Sequence, residues 1–69
     1  MVRIFKTNVE RLEKANGITV VLSERLPAHK INFDLEDCDK ILRIEGDDFN
    51  PDLVIRLLKT LDYECKEIE

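Results

Sequence analysis

Glycine and proline are scarce: two of each in 69 residues, and tryptophan is missing. So few chain breakers exclude a loop-rich or low-complexity protein and favour long regular elements joined by short connections. Cysteine is equally sparse. Cys38 and Cys65 are too few for a disulfide framework and too far apart for a CxxC pair. Two reduced thiols in a cytoplasmic protein is the expectation. No apolar run approaches the roughly 20 residues needed to span a bilayer, and the start Met1-Val2-Arg3-Ile4-Phe5-Lys6 lacks the apolar stretch of a signal peptide. Basic residues are outnumbered 11 to 15 by acids, for a net charge of −4. Phosphate backbones need a basic face, so nucleic acid is not an expected partner. The single histidine is isolated, no glycine-rich phosphate loop is present, and no Ser or Cys stands near a base. These absences point away from an enzyme.

The composition that remains, 43% hydrophobic and 38% charged, belongs to a folded domain. One domain over residues 1–69 is expected, burying only about 60% of the surface of its unfolded chain. Residues 2–6 alternate as a strand, with Val2 and Ile4 on one face and Arg3 and Phe5 on the other. Thr7-Asn8 supply helix-start chemistry. Leu12, Ala15, Thr19, Leu22 and Leu26 then recur at helical spacing, but Asn16-Gly17 before Ile18-Thr19-Val20-Val21 also suits a hairpin turn and strand. A helix from about 9 to 26 is favoured, because the strands need a layer to cover them and Leu26-Pro27 is a helix stop. Residues 30–36 alternate with Ile31, Phe33 and Leu35 inward. After a polar turn, residues 41–45 form a second strand of the hairpin, with Leu42 and Ile44 inward. Asn50-Pro51-Asp52 starts a second helix with one apolar stripe, Val54, Leu57, Leu58 and Leu61. Tyr63 to Ile68 is a last strand, with Tyr63 and Cys65 inward.

The order β-α-β-β-α-β predicts a ferredoxin-like α+β sandwich, an antiparallel sheet of order 4-1-3-2 with two helices on one face. The open face should carry Arg3, Phe5, Asn32, Asp34, Ile41, Arg43, Glu45, Glu64, Lys66 and Ile68. That set lacks the paired aromatics and basic background of an RNA-binding sheet.

Residues 22–68 resemble the later part of a heavy-metal-associated domain, the module of copper chaperones and metal ATPases. Leu22-Ser23-Glu24-Arg25-Leu26-Pro27 is similar to the family's end of helix one. Ile31-Asn32-Phe33-Asp34-Leu35-Glu36 resembles its V-x-V-D-L-E strand, and Asn50-Pro51-Asp52-Leu53-Val54-Ile55 its D-P-E-x-I-I helix start. Tyr63-Glu64-Cys65 stands where the family has G-Y-E-V, with Asp62 in place of the glycine. The family binds soft metals through G-M-x-C-x-x-C between the first strand and first helix. This chain reads Phe5-Lys6-Thr7-Asn8-Val9-Glu10 there. The metal function therefore transfers to no residue, and no cofactor is expected.

Other residues do not rebuild the site on paper. The turn that holds Cys38 and the start of the last strand, with Cys65, share one end of the sheet. In the expected order they stand two to three strand spacings apart, on the order of 10–14 Å and beyond disulfide reach. His29 lies at the opposite end, roughly 20 Å from Cys38. Cys65 reads as a small core side chain, His29 as a solvent-facing loop residue, and Glu36-Asp37-Asp39 with Asp47-Asp48 as solvated acidic loops. Cys38, in an exposed turn, is the remaining candidate for a metal or a disulfide shared between two chains. The function expected is therefore a non-enzymatic protein-interaction module. Its candidate contacts are the remodelled loop Lys6, Thr7 and Asn8 with Cys38 and Tyr63, and its edge strands allow a homodimer by strand addition. The alternatives are metal handling through Cys38 and a small-molecule-sensing regulatory domain.

Overall fold

The computed structural model describes residues 1–68. Four strands and two helices follow in the order β1 (Val2–Thr7), α1 (Leu12–Arg25), β2 (Lys30–Asp34), β3 (Ile41–Glu45), α2 (Pro51–Thr60) and β4 (Cys65–Ile68). All strand pairs are antiparallel, and the sheet runs β2-β3-β1-β4. This is the expected order read from the other edge. No helix is long and apolar enough to cross a membrane.

The core forms between one face of the sheet and the two helices. Phe5, Leu42 and Ile44 from the strands meet Ala15, Ile18 and Leu22 of α1 and Val54 and Leu58 of α2. At about 1.5–3 kcal/mol for each large apolar side chain, this cluster is the main stabilising term. Ile31, Phe33, Leu35, Tyr63 and Cys65 pack against it as half-buried side chains, on the inward side the alternation assigns them.

The faces of β1 are the reverse of the expectation. Phe5 stands opposite Leu42 and Arg3 opposite Ile44, so both point to the helices, and Phe5 is wholly buried. Val2 is exposed and Ile4 half-buried on the open face, where Ile4 pairs with Ile68 of β4. The larger ring takes the core position. Arg3 is accommodated at the end of the core because two carboxylates neutralise it, Glu67 at 2.6 Å and Asp48 at 2.9 Å. Its guanidinium also lies 5.8 Å from the centre of the Phe49 ring.

Helix α1 is the less amphipathic of the two helices and begins later than expected, at Leu12. Thr7 and Asn8 do not cap it. Its N-cap is Arg11, which makes no side-chain capping bond. Val9, expected inside the helix, is buried in the incoming loop, while Leu12 is 68% exposed. Ile18 takes the core position expected of Thr19, whose hydroxyl instead donates to the Ala15 carbonyl at 2.8 Å. The segment 18–22 is helical, so Gly17 is a mid-helix residue and no hairpin forms there.

Helix α2 starts as its sequence dictates. Asn50 Oδ1 accepts the Asp52 N–H at 3.0 Å, and Pro51 occupies the first turn. It ends in a Schellman arrangement: the Tyr63 N–H donates to the Leu58 carbonyl at 2.8 Å and the Asp62 N–H to Lys59 at 3.0 Å. Asp62 adopts the left-handed conformation that this motif requires, with φ 68°. β4 consequently begins at Cys65, two residues later than expected.

Candidate functional site

One end of the sheet gathers the end of β1, the 35–40 turn between β2 and β3, and the junction between α2 and β4. Thr7 ties the first two together. Its N–H lies 3.2 Å from the carbonyls of both Asp39 and Lys40, and its hydroxyl donates to the Lys40 carbonyl at 2.6 Å. The same hydroxyl oxygen accepts the buried Val9 N–H at 3.2 Å. Asn8 makes the second tie, its Oδ1 accepting the Glu64 N–H at 2.8 Å across 56 residues of sequence. The connection between β1 and α1 is thus fastened on both sides by hard oxygen groups already engaged within the fold, whereas soft metals select thiolates.

The candidate residues share this end but differ in what they present. Lys6 is exposed and lies 3.3 Å from the Asp39 carboxylate. Asn8 and Cys38 are exposed. Tyr63 is half-buried and packs on the core. Thr7 is a correction, because its side chain is buried, 7% exposed, and its hydroxyl is consumed within the fold. It positions the loop and offers no contact surface.

The 35–40 turn is shaped by its own polar groups. Asp37 Oδ1 accepts the Asp39 N–H at 2.8 Å, the Lys40 N–H donates to the Asp37 carbonyl at 3.0 Å, and Lys40 has φ 47°. Lys40 Nζ reaches back to the Leu35 carbonyl at 3.0 Å. Between the two acids stands Cys38. One ligand atom each from Asp37, Cys38 and Asp39 lies within 4.8 Å of the others. That set offers one thiol and two hard carboxylates, all on the surface, whereas soft ions select several thiolates and structural zinc takes four ligands.

Cys65 stands opposite Thr7 in the β1–β4 register and belongs to the same end. Burial pushes its thiol up to about 12, so it remains protonated and makes a poor nucleophile or ligand. Both cysteines are free.

The opposite end of the molecule holds a constellation the sequence reading did not find. His29 was expected in solvent but is half-buried, with Nε2 2.6 Å from the Asp47 carbonyl and its ring edge-on to Phe49 at 5.4 Å between centres. Phe49 in turn lies 6.5 Å from Phe5. Asp48, expected to be a free loop acid, accepts from Arg3, whose guanidinium holds its carboxyl below the usual carboxylate range. This cluster closes the core between β1 and the 46–49 loop. Its one sequence signal was Phe5, which competes with Ile4 for the inward face and brings Arg3 with it.

No protein-family model matches the chain, and neither do curated proteins or solved structures.

Proposed function

We propose that the chain is a ferredoxin-like domain of the heavy-metal-associated kind in which the metal loop has become a fixed protein-contact surface, with no enzymatic activity. The observation that carries this reading is the pair of ties at the β1–α1 connection. Thr7 and Asn8 hold that loop against the 35–40 turn and the start of β4, where the resemblance would place two convergent thiols. A rigid loop end loses little conformational freedom on docking, which favours recognition of a partner. Lys6, Asn8 and Cys38, with Tyr63 behind them, form the surface, and a folded protein with a mixed-charge patch is the partner that suits it. The reading rests on the resemblance and on this local geometry.

A photo-crosslinker attached to Cys38 tests it, with the same label on a Ser23→Cys, Cys38→Ser variant as a control on the exposed side of α1. The expected result is a discrete crosslinked partner from Cys38 that disappears on Lys6→Glu and is absent from the control. Equal labelling patterns from both positions would overturn the reading.

Metal handling through Cys38 from two chains is the second reading, supported by the closeness of Asp37, Cys38 and Asp39. Cu(I) titration against a competing chelator separates the two. Binding of half an ion per chain that is lost in Cys38→Ser would favour the metal, and an unchanged titration would remove it.

A further inference from the structure

Strand β2 is an edge, hydrogen-bonded to β3 on one side and to no strand on the other. Its sequence Lys30-Ile31-Asn32-Phe33-Asp34 is complementary to itself when run antiparallel about Asn32. In that register Lys30 faces Asp34 of a second copy, Ile31 faces Phe33, and Asn32 faces Asn32. We propose that β2 pairs with β2 of a second copy of this chain in this register, joining two four-stranded sheets into one through a two-fold axis at Asn32.

Three features of the protomer carry the inference. Among the described residues, neither Lys30 nor Asp34 has an ion-pair partner within the chain; the ion pairs present involve Arg3, Lys6 and Arg11. The pairing supplies both charges with opposite partners, twice over. Next, Ile31 and Phe33 lie on the core side of β2 yet stay only half-buried, because nothing covers them beyond the edge. An Ile–Phe cross-strand pair on each side of the axis extends the core into the second copy. Finally, β2 is free of proline and pairs with β3 through five consecutive residues without a bulge, so its outer edge retains a regular row of backbone donors and acceptors.

The other edge does not offer this match. Antiparallel self-pairing of β4 centred on Lys66 places lysine against lysine, and centred on Glu67 places glutamate against glutamate. Like charges directly opposite destabilise a strand pair. Among registers centred on a residue that pair at least three residues within the edge strand, charge therefore favours β2 over β4 (Cys65–Ile68), and the two-fold symmetry closes the assembly at two chains. The surface differs from the Lys6–Asn8–Cys38 end, so either proposal can fail without the other.

Sedimentation equilibrium across a concentration series tests it. The wild type is expected to shift to twice the 8.1 kDa protomer mass. Lys30→Glu and Asp34→Lys singly place like charges opposite each other twice per dimer and should weaken association about tenfold or more. The double exchange Lys30→Glu with Asp34→Lys should restore it. Register is read separately by Asn32→Cys in a Cys38→Ser background. Facing Cα atoms about 4.5–5.5 Å apart should form an interchain disulfide under mild oxidation. Lys30→Cys, about 13 Å from its own copy along the strands, should not. Circular dichroism confirms that each variant is folded. A monomer at every concentration, single exchanges without effect, or a double exchange that does not recover would overturn the proposal.

Discussion

Gly46 lies directly against the imidazole of His29: a Cβ built on it would stand 2.7 Å from His29 Cδ2 and 3.3 Å from His29 Cα. The ring cannot swing aside freely, because Nε2 is bound to the Asp47 carbonyl and the ring edge rests on Phe49. The backbone at Gly46 also has φ 152°, a conformation L side chains rarely adopt. Gly46→Ala is therefore expected to destabilise the protein by about 1–3 kcal/mol, measured by urea denaturation. Truncating the ring in His29→Ala should remove the two closest contacts, to Cδ2 and Cγ, but leave the 3.3 Å approach to Cα and the φ strain, so Gly46→Ala should cost less in that background. A loss under about 0.5 kcal/mol in the wild-type background would contradict the close packing.

Asp48 links stability to pH at the same end. The guanidinium of Arg3 lowers its pKa from the ordinary 3.8 in the folded state. Between the folded and unfolded values the unfolded chain binds more protons, so stability rises with pH through that window. The contribution is complete above about pH 4 and lost as pH falls through the folded value. Asp48→Asn should lower the melting temperature at neutral pH and flatten the acid limb of a melting-temperature profile. Equal pH slopes in the two proteins would show that the pair has no linkage to folding.

Thr7 carries the connection at the candidate surface with one hydroxyl, donating to the Lys40 carbonyl and accepting from the Val9 N–H. Thr7→Val keeps the shape and leaves the buried Val9 N–H without this acceptor, which should cost about 1–3 kcal/mol. Thr7→Ser retains the hydroxyl and should recover most of the loss. Amide hydrogen exchange at Val9 reads the same event locally, since its N–H donates to the Thr7 hydroxyl: it should exchange faster in Thr7→Val, and unchanged protection would refute the tie.

The element order and the helix-side pattern of β2, β3 and most of α2 were legible in the sequence because each carries a two- or 3.6-residue period; Leu61, expected in the α2 stripe, caps the helix and is exposed. β1 was ambiguous for a physical reason. Val2, Ile4 and Phe5 place apolar groups on both faces, so periodicity alone does not decide, and the choice falls to ring size and to the carboxylates Asp48 and Glu67 that neutralise Arg3. Those acids are 45 and 64 residues away in the chain, beyond the reach of any local pattern. The same limit hid the role of His29. Thr7 and Asn8 read as cap residues on composition, yet their acceptors serve the Val9 and Glu64 N–H groups, and α1 starts without a side-chain cap.

Gly17 was the residue on which helix and hairpin readings of 9–26 divided. It lies in mid-helix, and a Cβ added there meets nothing within 4 Å. Gly17→Ala should stabilise the protein by roughly 0.5–1 kcal/mol through the reduced entropy of the unfolded chain. Since α1 lacks a side-chain cap, the gain should appear as slower amide exchange throughout that helix. A decrease in stability would require a turn at residue 17.

Asp62 gives the complementary case, a residue in a conformation that suits glycine. At φ 68° it forms the left-handed step that lets the Tyr63 N–H reach the Leu58 carbonyl and turns the chain into β4. A non-glycine residue there is strained by about 1–2 kcal/mol, less for Asp, whose short side chain tolerates the region. Two terms oppose each other in Asp62→Gly: relief of that strain, and the greater freedom of glycine in the unfolded chain. The first should prevail by about 0.5 kcal/mol, since the Asp62 side chain is exposed and removing it uncovers nothing. Removing an acid next to the C-terminal end of α2 also relieves its repulsion with the helix dipole, which adds to the gain. Asp62→Ala separates the two effects, because it removes the charge but keeps a Cβ at positive φ. The expected order of stability is Asp62→Gly, then wild type, then Asp62→Ala, measured by denaturant midpoints; Asp62→Ala matching Asp62→Gly would assign the effect to charge and leave backbone strain with none.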